Sequence, residues 1–170
     1  KKMCEYVVGM NLCGKWFLST NDAPPKLDGL VKFFRYAGEK VNSPALKALA
    51  GRLDHKKFSF PHVVELNDGM INLFTRIPDE PLPAAQAPVS YWKDLSIAII
   101  REKSDCPERG TVIALKGGHN AESHNHLDLG HFSLFRCNQP LILDVGAGVY
   151  NAKTFSSERY TFWNYNSYIF

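Results

Sequence analysis

Gly117-Gly118-His119-Asn120-Ala121-Glu122-Ser123-His124-Asn125-His126-Leu127-Asp128-Leu129-Gly130-His131 is the stretch whose reading decides the rest. Four of the chain's six histidines fall inside it. His124, His126 and Asp128 are spaced by two, and residues two apart on a strand point to one face. The spacing would therefore set two imidazoles and a carboxylate in a row. Phe132-Ser133-Leu134-Phe135-Arg136-Cys137 follows with an alternating pattern that predicts a strand. Asn138-Gln139-Pro140 predicts a turn, and Leu141-Ile142-Leu143-Asp144-Val145-Gly146 a buried strand carrying one acid. A hairpin of these two strands would bring Asp144 back towards the histidines. Two histidines and a carboxylate form a common zinc or non-haem iron site. The plain alternative is a solvated, His-rich turn, since Asn, Ser and Asp are ordinary turn residues. Asp144 weighs against it, because a buried carboxylate needs a partner.

Outward from this stretch, the chain divides into two unlike halves. Residues 1 to about 75 predict helix. Residues 5–18 are rich in apolar side chains, with Gly9 and Gly14 as weak points. Residues 20–25 form a turn. Leu27, Leu30, Val31, Phe34 and Ala37 keep helical spacing, with Gly38 as a natural stop. Ser43-Pro44 starts a further helix, a capping serine before a proline at the first helical position. Leu46, Leu49, Ala50 and Leu53 make its apolar face. Trp16, Phe17, Phe33, Phe34 and Tyr36 suit packing better than a site.

Residues 76–88 hold four prolines, a density that neither a helix nor a central strand tolerates. They predict a linker, with a boundary near Pro83. Beyond Tyr91-Trp92 the pattern is of strands over 96–101 and 111–116, with a turn over 104–110 between them. Short strands separated by turn signals predict an antiparallel sandwich or barrel. The chain ends in an apolar, aromatic run over 160–170, and both ends look like cuts through a larger protein.

The 170 residues carry a net charge of +3 and are 45% hydrophobic. This suits one globular domain, or one and a fraction. The mild basic excess is compatible with an acidic partner. No basic run points to nucleic acid, no apolar stretch is long enough to span a membrane, and the start is not a signal peptide. Cys4, Cys13, Cys106 and Cys137 show no C-x-x-C spacing and make no disulfide scaffold. Cys137, on a strand pattern, is expected to behave as a small apolar residue.

Gly117-Gly118-x-Asn120-x-x-Ser123-His124-x-His126-x-Asp128-x-Gly130-x-Phe132, then Leu143-Asp144-x-Gly146-x-Gly148-x-Tyr150, then Arg159-Tyr160, together resemble the heparinase II/III-like family of polysaccharide lyases. The matching motifs run over about 92–168; the first half is similar only in being helical. The resemblance implies an α+β chain. Residues 1–82 would be the last helices of an α/α toroid with a linker, and 83–170 the first part of a β-sandwich, both incomplete. It implies β-elimination on a uronic-acid polymer such as a glycosaminoglycan or alginate, in the periplasm or outside the cell.

By position, His124 resembles the histidine beside the substrate. His126 and Asp144 resemble two of three ligands of a mainly structural zinc ion, the third being a histidine beyond residue 170. Asp128 is similar to an acid that orients a loop or a ligand. Tyr160 stands where some members carry an active-site tyrosine. Asn120 and Arg159 would bind substrate, and Tyr150 would pack under the glycine turn. The family's main catalytic tyrosine lies upstream of the matching residues. Two other classes compete. Gly118 with His124-Asn125-His126 also opens the cupin metal motif, but residues 127–132 offer Asp128 and His131 where that motif needs Glu. A non-catalytic carbohydrate-binding sandwich would use the histidine row and Trp163 merely to touch sugar.

Overall fold

A computed structural model describes residues 2–27, 30–53, 86–122, 129–144, 156 and 168–169. The expected linker over 76–88 therefore lies almost wholly outside the described residues. The described elements form a helical layer packed on one face of an antiparallel sheet, an α+β arrangement as expected.

Helix α1 (Lys2–Met10) buries Val8 and Met10. Tyr6 meets the Trp92 indole edge-on, with centroids 5.5 Å apart at 73°. A Cβ on Gly9 would collide with the same indole, so the glycine lets the helix and the sheet come close.

The apolar run over 5–18 does not stay helical. It turns into a short hairpin, β1 (Asn11–Cys13) and β2 (Trp16–Phe17). The cause is local. Asn11 is fully buried, and its Nδ2 donates to Gly14 O at 2.9 Å and Trp16 O at 3.0 Å. Gly14 takes the left-handed φ of 48° that the reversal needs. Expected helix is thus replaced by a side-chain-closed turn.

Helix α2 (Val31–Lys40) runs past Gly38, which is buried within the last turn rather than ending it. The left-handed residue that stops it is Asn42, with φ 48°. Helix α3 (Pro44–Leu53) begins where the Ser-Pro pair places it. The Ser43 hydroxyl accepts the Leu46 N–H at 3.4 Å, and Leu46, Leu49 and Ala50 are buried.

Among the described residues the sheet has six strands in sequential order: β3 (Val89–Trp92), β4 (Ile97–Arg101), β5 (Thr111–Lys116), β6 (Phe132–Arg136), β7 (Gln139–Leu143) and β8 (Tyr168–Ile169). Strands β4, β5 and β6 fall where the alternation predicts them. The turn before β7 does not. Cys137 and Asn138 both have left-handed φ, 48° and 63°, and make the two-residue turn themselves. Gln139 and Pro140 already pair with β6, next to a bulge. Cys137 is therefore an exposed turn residue and not a strand position facing a core.

The inward face of the sheet (Ile97, Ile99, Val112, Ala114, Phe135, Leu143) merges with Leu12, Cys13, Phe17, Phe34 and Leu49 into one core. The outer face carries an apolar row: Val89 pairs with Ile100, Ile100 with Ile113, and Ile113 with Leu134. It is on this face that a sandwich would place its second sheet. Neither a second large sheet nor a closed toroid is present among the described residues.

Arg101 ties the layers together. Its guanidinium is buried at the end of β4 and donates to Gly9 O (2.6 Å), Asn11 O (2.8 Å), Ala87 O (3.1 Å) and Ser90 Oγ (3.0 Å). Gln86 Nε2 donates to Val8 O, Asn11 O and Asn11 Oδ1. Burial, aided by the nearby Arg52 charge, lowers the Arg101 pKa to about 10, so the side chain is still charged at neutral pH.

Candidate functional site

The long β5–β6 connection springs from a closed base. Lys116 N donates to His131 O at 3.1 Å, and Gly130 N to Lys116 O at 2.9 Å. Gly117 N also donates to Ser96 O at 2.7 Å. Residues 117–122 leave the sheet and residues 129–130 rejoin it at one end, held on both sides.

Lys116 is buried at that base. Its Nζ donates to Gly117 O at 2.9 Å and pairs with Glu122 Oε2 at 2.7 Å. The hydrogen bond from this ammonium holds the Glu122 carboxyl below the usual carboxylate range. Gly118 closes the lock with a φ of 99°. A Cβ there would strike Glu122 Oε1 and sit 2.9 Å from Lys116 Nζ. Gly118→Ala is therefore expected to destabilise the turn by roughly 1–3 kcal/mol, the usual cost of a forced backbone conformation. Amide exchange over 117–122, compared with the parent chain, measures it.

The same pair sets an acid limit. A depressed folded pKa stabilises above the unfolded value, and that contribution fades as pH falls through the folded one. Protection factors in the turn, corrected for intrinsic exchange, should fall in acid, and Glu122→Gln should remove that pH dependence.

Beside the pair lies a cleft of about 360 Å³ between the two layers. Tyr6, Asn21 and Asp22 come from the helical side; Leu95, Lys116 and Glu122 come from the sheet. Asn120 is exposed in the turn that runs past it.

A second polar cluster lies on the sheet's inner face. Asp144, directly after β7, has no solvent exposure, and its Oδ2 lies 3.5 Å from His131 Nε2. His131 precedes β6 and shares the inward face of Ser133 and Phe135. Asp144 is thus buried beside an imidazole at the root of the histidine-bearing loop, as the expected hairpin requires. The imidazole concerned is His131, which spacing had not singled out. Its parity with Ser133 and Phe135 was the signal available. Lys116 and Glu122 were also passed over, because only the loop's shape brings them together. His124, His126, Asp128, Tyr150, Arg159 and Tyr160 lie outside the described residues, so the predicted site is described at Asn120 and Asp144. Among the described residues no three metal-ligating side chains come together; the buried carboxylate and the adjacent imidazole are two donors of the kind zinc takes.

No family model and no curated protein matches the sequence. Among solved structures, a heparinase III with methylated lysines matches over 94% of this chain with a TM-score of 0.62. The sequence identity is 17%, and the chain spans about a fifth of that protein, 21% of its length. At this identity the likeness is one of fold: the helical layer and its antiparallel sheet are built as one portion of a heparinase III is built.

Proposed function

We propose that this chain is part of a polysaccharide lyase that cleaves a uronic-acid-containing polymer by β-elimination. The observation that carries the proposal is the fold likeness to a heparinase III over nearly the whole chain. The residues of the loop motif, Gly117 to Phe132, support it as well. The cleft lies where residues 116–122 meet the helical layer.

The chemistry accounts for the residue types. A base removes the C5 proton of the uronic acid, and the bond from C4 to the leaving oxygen then breaks. Hydrogen bonds or positive charge at the carboxylate stabilise the enolate-like state. In this reading His124 faces the uronate, and Asn120 and Arg159 hold the substrate. Tyr160 exchanges protons at the reacting centre, as a phenol can. A zinc ion on His126 and Asp144 would fix the loop against the sheet, a structural role. The acting compartment would be periplasmic or extracellular; among the described residues no helix is long and apolar enough to cross a membrane.

The test is the product. Incubating the full-length protein with uronic-acid polymers should generate ultraviolet absorbance from a new double bond between C4 and C5. Saturated products, or none across the glycosaminoglycans and alginate, would reject the lyase reading.

A further inference from the structure

We propose that His131 is a ligand of the same metal ion as Asp144. The inference rests on the metal-bearing part of the reading above and adds a residue to it. The family resemblance places a third ligand after Arg159-Tyr160 and gives His131 no role.

The geometry is that of two buried donors facing each other at the root of the loop. The side chains of His131 and Asp144 are 4% and 0% exposed, so both polar tips sit away from water. Their facing atoms are 3.5 Å apart. That is long for a charge-assisted hydrogen bond, which settles near about 2.7–2.9 Å. Two ligands each about 2.0–2.1 Å from a tetrahedral zinc ion stand roughly 3.3–3.4 Å from each other. The observed spacing is close to the second value.

The two residues are also held by the sheet itself. The His131 carbonyl accepts the Lys116 N–H at 3.1 Å, and Asp144 follows the last ladder residue of β7. A pair fixed in this way needs little reorganisation to take up an ion. His126 lies five positions earlier in the loop that ends at His131. A metal on His126, His131 and Asp144 would tie the loop to the start of β6 and the end of β7. Binding requires a neutral imidazole and an ionised carboxylate.

Cobalt(II) provides the test, used in place of zinc with the full chain. The wild-type chain should bind one cobalt with the strong visible bands of a tetrahedral site. His131→Cys should add a thiolate-to-cobalt charge-transfer band in the near ultraviolet that wild type lacks. His131→Ala should weaken zinc binding by more than roughly a hundredfold, beyond the 10–100-fold loss typical of a group that only orients a ligand. X-ray absorption on the zinc-loaded full-length protein should count three imidazoles, one more than His126 and the expected downstream histidine supply, a readout that needs no variant to fold. Metal bound with two imidazoles or fewer, or by His131→Cys without the new band, overturns the role of His131 and leaves a metal at Asp144 standing. No cobalt uptake by wild type overturns both. Neither result touches the lyase reading, which the unsaturated product decides separately.

Discussion

Arg101→Met should lower the stability of this fold by roughly 2–5 kcal/mol, because it leaves several buried acceptors without a donor. Methionine keeps most of the side chain's stem and removes the guanidinium. The carbonyls of Gly9, Asn11 and Ala87 would each lose a donor, along with the Ser90 hydroxyl. A buried acceptor left unsatisfied costs about 1–3 kcal/mol, and neighbours in one network do not add in full. Arg101→Lys should recover only part of the loss, because one ammonium cannot span acceptors on two layers. Urea unfolding of the three proteins measures this. A loss below about 1 kcal/mol for methionine would show that water replaces the guanidinium freely.

On the lyase reading proposed above, His124→Ala in the whole protein should reduce elimination by about a hundredfold to a thousandfold, the typical effect of removing one group that stabilises developing charge. Its melting temperature should stay near that of the parent. His126→Ala should lose the metal and stability together, because breaking a structural metal site removes folding free energy. The two variants separate two roles that share one short stretch. Rates come from absorbance of the unsaturated product, and stabilities from thermal melts with and without chelator. Equal loss of activity with no difference in melting would show that the two roles have been exchanged.

The sheet was legible wherever one face meets the core. Ile97, Ile99 and Arg101, then Val112, Ala114 and Lys116, alternate with more exposed neighbours, and that period survives in the bare sequence. Helix α3 was legible for a similar reason, through its cap and its apolar face. The hairpin at 11–17 was not. Its residues are apolar enough for a helix, and what breaks the helix is a buried asparagine that serves partners far along the chain. Arg52 Nη2 and Gln86 Nε2 both reach Asn11 Oδ1, at 3.3 and 3.1 Å. No local window contains them. The turn at Cys137-Asn138 was misplaced because Pro140 suggests a break, while a proline beside a bulge is tolerated in the ladder. At the candidate site, the hairpin logic carried Asp144 to the root of the loop, yet its described neighbour is His131. Register decides such a pairing, and spacing inside the loop does not reveal it.

The sequential strand order divides the entropy of assembly unevenly. From β3 to β7 every strand pairs with the one before it across a short connection or the β5–β6 loop. Closing such loops is inexpensive, and the cost grows only slowly with length. The ties to the helical layer join residues far apart: Arg101 to Gly9 spans 92 positions, and Gly14 to Glu108 spans 94. The expensive closure therefore falls on bringing α1 and its hairpin down onto the sheet. The cleft has walls on both sides of that junction, with Tyr6, Asn21 and Asp22 facing Leu95, Lys116 and Glu122. It comes into existence only when the last and least local contacts of the fold are made.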